Sequence, residues 1–409
     1  MSCFRERGEK MGLFSKLFQN IKIKSADYYG YTSVSAPFSK DLYEQETVRA
    51  IIDCIATHAA KGNAQHVIVD SDGRIKEIKY NSIYAKLINH APNTLMSGFD
   101  FKYKLITQLQ CRNTAMAYIK WNINNKLPEY ILPVDYSNFR IYRISGGNGY
   151  AVQFTDNLGE VFTLNADDVI FLRKFYNRYD VSGDGNSCIY NSLNMVKASD
   201  EGFIDSLAVA NKVRGIHKHK KAMLDPNDIA ESQRKFAERF EKAAKEGGIV
   251  SIDSQEEYIP LNISSYSANA AQMQTVRNNL FTYWRTPECI VRSDYTEQQG
   301  MAWYESVIDP IWIMMSQCFT NACFTGREKD VGNRIIFGGA FLTGTSYETR
   351  IKMLDAVREK GILTDNEERA LIGYPPVEGG DVRHISLNYV EADKLSEYQE
   401  LSGGDNNNE

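Results

Sequence analysis

An α+β fold divided between more than one folding unit is what the sequence predicts, and three observations carry that expectation. In residues 42–60, Val48, Ile51, Ile52, Ile55 and Ala59 recur at the spacing that puts them on one face of a helix. Residues 116–172 break into short runs rich in β-branched and aromatic side chains, separated by turn residues, as antiparallel strands do. Residues 189–223 and 269–284 are long helical candidates on either side of a charged segment. At 409 residues the chain is past the size at which one core keeps growing, so two or more units are expected.

Taken in order, residues 1–10 are charged and unlike the segment after them, which makes Met11-Gly12-Leu13-Phe14 a candidate start. Residues 1–40 are expected to form an extended arm, disordered or bound to a partner. Helix 42–60 ends at Gly62-Asn63. A hairpin of 66–70 and 75–78 turns at Asp72-Gly73, and a helix over 82–90 comes next. Ser97 is placed to cap a helix whose Phe101, Leu105 and Leu109 share one side. Strands are expected at 116–121, 130–132, 139–144, 150–154, 161–162 and 169–172, with Asn148-Gly149 and residues 156–159 as connections.

The 189–223 helix would be about 50 Å long if unbroken. Gly202 and Gly215 are its break points, and Asp225-Pro226-Asn227 stops it. Asn227 then caps a charged helix over 229–245, closed by Gly247-Gly248, and strands 249–252 and 258–263 come next. Residues 264–324 form helix, break, helix. Met273, Val276, Leu280 and Tyr283 stripe the first helix; Thr286-Pro287 ends it, because proline disfavours helical backbone before it and donates nothing to the ladder. A polar loop over 292–300 leads to a second helix carrying Trp303, Val307, Ile311, Met315 and Phe319, with a kink expected at Asp309-Pro310. A strand pair (333–337, 341–342), a helix over 347–360 and a capping box at Thr364-Asp365-Asn366-Glu367 complete the ordered part. Residues 401–409 are a polar tail.

Composition excludes several classes. Apolar residues at 43% and charged ones at 24% are those of a soluble globular protein. A net charge of -5 argues against tight gripping of a phosphate backbone. Seven cysteines at irregular spacings make no disulfide framework or zinc pattern and point to folding in a reducing cytoplasm. No apolar run approaches the roughly 18 residues of a membrane span. The P-loop, HExxH and GxSxG patterns are absent, so neither nucleophilic nor metal catalysis has a visible carrier, and no cofactor is expected.

Three weaker signals have plain readings. Residues 180–185 half-match a calcium loop, but the twelfth position is Asn191 rather than a bidentate Glu, so a turn opening the long helix is expected. Gly146-Gly147-Asn148-Gly149 joins strand to strand and offers no helix N-terminus to a phosphate. Residues 214–221 are the strongest basic cluster. They fit either solvated cations at a helix C-terminus or a contact with nucleic acid or an acidic partner. His217 and His219, two apart on one helix, would lie on different faces and make a poor metal pair.

The order of motifs resembles the portal (head–tail connector) proteins of tailed bacteriophages. Met11-Gly12-Leu13-Phe14 is similar to the family's start, and Leu87 through Pro92-Asn93 with Phe101 to its "PN" segment and helix. Arg112-Asn113-Thr114-Ala115-Met116-Ala117-Tyr118 stands where the family has a Gly-Asn-Ala-Tyr strand entry, departing from it at Arg112 and Thr114. Leu132-Pro133-Val134-Asp135 and Asp167-Asp168-Val169-Ile170 match two more segments. Thr286-Pro287-Glu288 resembles the Val-Pro-Pro break, and residues 364–369 and 374–381 its Thr-x-Asn-Glu-x-Arg and Pro-Pro-Val-x-Gly-Gly-Asp ending.

The resemblance implies a portal-like α+β fold with an α+β wing, long stem helices, a small α/β clip and a short helical crown. Residues 41–188 and 300–345 would be the wing, 189–223 and 266–284 the stem, 224–265 the clip, 285–299 the tunnel loop region and 346–409 the crown and tail. It further implies a non-enzymatic homo-oligomeric ring, usually a dodecamer, at one vertex of the virion capsid, assembled in the host cytoplasm. Through this ring double-stranded DNA is packaged by a separate terminase and later ejected. Terminase, major capsid or scaffold protein and a head-completion adaptor are the implied partners, with no membrane. Arg292, Asp294, Glu297, Lys218, Lys220 and Lys221 are the candidate channel residues. Arg234, Arg239, Lys242 and Glu256 are candidates for the clip surface that meets terminase or adaptors. Two rival classes stay open: an oligomeric adaptor with no DNA-sized bore, and a nucleic-acid-processing enzyme.

Overall fold

The computed structural model describes residues 18, 26–29, 42–144, 149–178, 181–212, 215–219, 226–245, 256–260, 270–338, 351–352, 354–357, 360–371 and 374–384. The chain divides into two compact units, one from Met1–Asn186 with Phe281–Glu409 and one from Ser187–Leu280.

Among its described residues the first unit holds three sheets. Strands β1 (Ala26–Tyr29), β2 (Asn63–Val69), β3 (Ile75–Ile78), β4 (Thr114–Trp121), β5 (Pro128–Val134), β6 (Asn138–Ile144), β7 (Tyr150–Thr155), β8 (Val161–Asn165) and β9 (Val169–Arg173) succeed one another along the chain. They are joined after the second helical segment by β12 (Asn333–Gly338). The sheet orders are β1-β6-β7-β8, β5-β4-β9 and β12-β2-β3, all antiparallel. Strand β4 is central, so six successive residues from Thr114 to Ile119 are buried rather than alternating. The β5-β4-β9 and β1-β6-β7-β8 sheets share one core, in which Tyr118, Leu132 and Val134 meet Phe139, Val152, Phe154 and Leu164. Phe18 from the arm caps it, with its ring 5.3 Å from those of Phe154 and Phe162.

Helix α1 (Glu46–Ala60) buries the stripe the periodicity picks out, Val48, Ile51, Ile52, Ile55 and Ala59, chiefly against α3 (Gly98–Arg112). Helix α2 (Ile83–Asn89) starts after Ser82. In α3 the Ser97 hydroxyl accepts from the Asp100 N–H while Asp100 accepts from the Ser97 N–H, a reciprocal cap. Asn113 closes α3 in the left-handed conformation, which asparagine tolerates. Two departures from the family pattern acquire local reasons. Arg112 bonds Asp135 and the Tyr136 carbonyl, at 3.0 and 2.6 Å, and Thr114 Oγ1 accepts the Gly183 N–H.

In the second unit, α4 (Tyr190–Lys212) is succeeded by β10 (Gly215–His219), then α5 (Pro226–Lys245) and β11 (Glu256–Pro260). A helix running on to Met223 is therefore not what forms. Residues 215–219 pair antiparallel with 256–260, and that ladder prevails over a local preference that Gly215 and two histidines make weak. The helical-face argument about His217 and His219, and the helix-end account of the basic cluster, lapse with it. Helix α5 takes in Asn227, since Pro226 fits a first helical position where no N–H is needed. Residues 249–252 and 220–223 lie outside the described residues.

The expected strand pair near the C-terminal end resolves differently. Strand β12 pairs with β2 from the first hairpin, Ile335 opposite His66, and 341–342 lie outside the described residues, as do Asn148 and half of 347–360. Thr364 and Glu367 form the expected reciprocal cap on the last helix, Asp365–Leu371. No described helix is long and apolar enough to cross a membrane.

Candidate functional site

The candidate segment 285–299 begins where α6 (Ala270–Tyr283) ends. Thr286 N–H bonds the Phe281 carbonyl and Arg285 N–H that of Thr282, a Schellman closure with Arg285 at φ 53. The polar loop expected here is instead two capped turns in succession. Pro287 opens α7 (Glu288–Val291), which closes the same way, Ser293 at φ 58 and Asp294 N–H on the Cys289 carbonyl. Thr296 then caps α8 (Glu297–Trp303) in a reciprocal box with Gln299. Gly300 is needed because a Cβ there would stand 2.8 Å from the Tyr295 ring.

The segment is fastened at its base. Buried Trp303 donates its indole N–H to Thr286 Oγ1 at 3.2 Å, and Thr286 donates to the Trp284 carbonyl. His58 of α1 packs edge-on to Trp303 at 5.2 Å and to Tyr304 at 5.8 Å. Burial pushes the His58 imidazole below its ordinary range; its bond to the Cys54 carbonyl opposes this. After Trp303 the helix passes through a π turn, Tyr304–Ile308, into α9 (Asp309–Cys323). The expected irregularity at Asp309-Pro310 thus sits one turn earlier, because the proline ring excludes the carbonyl four residues before it and the wider turn gives it room.

What this base presents outward is Arg292, Ser293, Asp294, Tyr295 and Thr296, all exposed. Arg292 pairs with Glu288 at 3.7 Å, one turn back on the same helix, and Glu297 is partly covered at the start of α8. Both signs of charge are therefore held on short, capped turns. Lys218 belongs to the other unit, opposite Glu257 on β10 and β11, with 3.8 Å between their charges. At that exposure such a pair adds little stability, but it balances the lysine locally. Lys220 and Lys221 lie outside the described residues.

On α5, Arg234 and Lys242 are exposed. Arg234 pairs with Glu238 at 3.6 Å, Lys235 with Glu231 at 2.8 Å, and Arg239 lies 5.7 Å over the Phe236 ring. Glu256 opens β11 opposite His219. Among the described residues no cluster of three or more His, Cys, Asp or Glu could hold a metal ion. Of the half calcium loop, Asp180 lies outside the described residues; within the rest the Asp184 carbonyl accepts from Asn113 Nδ2, and the Asp184 side chain from the Arg178 N–H.

Sequence reasoning missed a buried polar joint within the first unit, at its two chain crossings. Asn186 Oδ1 accepts from Asn113 Nδ2 and from the Tyr283 hydroxyl, both at 2.5 Å, while Asn186 Nδ2 donates to the Cys111 carbonyl. Asn186 is the last residue before the second unit, and Tyr283 is the third after it. Only the departure at Arg112 and Thr114, which flank Asn113, marks the place in sequence.

The family described as phage portal protein matches residues 46–373. The chain belongs to that family. This portal-family protein is similar to the proteins named probable portal protein in Lactococcus phages p2 and SK1. Identity is 24% over 260 residues, 61% of this chain and 67% of each relative. Its fold is that of chains in gene transfer agent particles. The neck of the empty particle, computed with C6 symmetry, aligns at TM-score 0.59 and 14% identity, covering 84% of this chain and 96% of that one. The neck of the native particle, computed with C12 symmetry, aligns at 0.59 and 12% identity, covering 85% and 96%.

Proposed function

We propose that copies of this chain close into a cyclic ring at one capsid vertex of a virion, and that duplex DNA passes through its centre during packaging and ejection. The carrying observation is the family match over most of the chain, joined to a fold shared with a neck computed with C12 symmetry; twelve subunits is the reading adopted. Terminase supplies the work of translocation, and the chain itself is structural. Terminase and head-completion adaptors dock on the clip around Arg234, Arg239, Lys242 and Glu256; the major capsid or scaffold protein meets the wing.

The physics of a conduit supports this reading. Tight phosphate contacts would stall a moving duplex, because every neutralised phosphate adds to affinity. A chain of net charge -5, whose cations Arg292 and Lys218 each have a carboxylate partner, favours brief contact over binding. Segment 285–299 is the tunnel loop in this account, with Arg292, Asp294 and Glu297 facing the duplex. Arg292→Ala leaves rings intact by particle imaging and changes the amount of DNA packaged; loss of rings would make Arg292 structural and remove it from the channel.

A further inference from the structure

We propose that the cavity walled by Lys174, Trp284 and Arg285 binds a single oxyanion group. This goes beyond the ring reading and does not depend on it. The cavity encloses about 280 Å³ within the first unit, and its lining includes Arg173, Lys174 and Arg285 but no carboxylate. Arg173 is already engaged, donating to the Val181 carbonyl at 2.7 Å. Among the described residues Lys174 meets a neutral acceptor, Gln110 Oε1 at 2.6 Å, and the rings of Phe175 and Tyr283 at 4.9 and 5.8 Å. Burial, and then the Arg285 charge, push its ammonium down to about 7.

Two cations that repel each other on the wall of one cavity are both served by one bound oxyanion. Arg285 adds the means of access. It is exposed and occupies, at φ 53, the helix-closing position that glycine usually takes.

Titration calorimetry of the full-length protein with sulfate, and separately with acetate, at pH 6.5 and constant ionic strength tests the site. Saturable binding of one anion per chain is expected. Arg285→Gly should weaken it about tenfold, yet keep the fold, since glycine is at ease in that conformation; its unfolding midpoint should rise by about 1–2 °C. Lys174→Gln, which keeps a polar side chain and deletes the charge, should weaken binding as well. Tighter sulfate binding assigns a tetrahedral oxyanion, tighter acetate binding a carboxylate, and either supports the proposal. No saturable binding of either anion, or equal binding by wild type and both variants, overturns it.

Discussion

Gly62 shows how far a single position can constrain this fold. It lies between Lys102, whose buried ammonium donates to its carbonyl at 2.6 Å, and Trp312, whose indole N–H bonds the Ala59 carbonyl at 2.9 Å. A Cβ at residue 62 would collide with the Trp312 ring, which that bond holds in place. Gly62→Ala should cost about 2 kcal/mol of stability, measured by denaturant unfolding. His58 gives a pH signature of definite sign. Its folded imidazole titrates below the ordinary 6.5, so under that pH the unfolded chain binds more protons and the fold weakens as pH falls. His58→Phe should flatten the loss of unfolding free energy between about pH 7 and 5; an unchanged slope would assign that loss to other groups. Of these two residues, sequence reasoning reached only Gly62, and that in part. Gly62 was visible as a helix end, but the reason no other residue fits comes from Trp312, far along the chain, which no local pattern announces.

At the scale of elements, the 285–303 segment stands on one buried hydrogen bond between turns. Thr286→Val keeps the shape and leaves the Trp303 N–H without an acceptor. The expected cost is about 2 kcal/mol, with faster amide exchange across 287–299 by mass spectrometry; unchanged exchange would show that the turns hold themselves. Helices α1, α3 and α9 and the strands between 114 and 173 were legible because their periodicity, caps and turns are local. Three features were not, the first two for a tertiary reason. Residues 215–219 are a strand only because 256–260 pair with them, β12 finds its partner in β2 far back in the chain, and Pro310 expresses itself as a π turn upstream of itself. The polar composition of 292–300 fits the exposure of 292–296 but hid two capped turns, since Ser293 and Thr296 are as common in loops as at helix ends.

For the molecule as a whole, family membership was legible as a collinear set of short segments, none sufficient alone. The joint of Asn113, Asn186 and Tyr283 was not, because its residues are separated by 73 positions in one step and 97 in another. What the ring account requires is that a chain of net charge -5 present its mixed-charge turns to a lumen and keep its clip helix outside it. Electron cryo-microscopy of the purified full-length protein tests this most directly. The account predicts closed rings with an axial opening that admits a duplex and with Arg292, Asp294 and Glu297 on its wall. A species that stays monomeric under every assembly condition, or a ring with those residues on its outer rim, would contradict it.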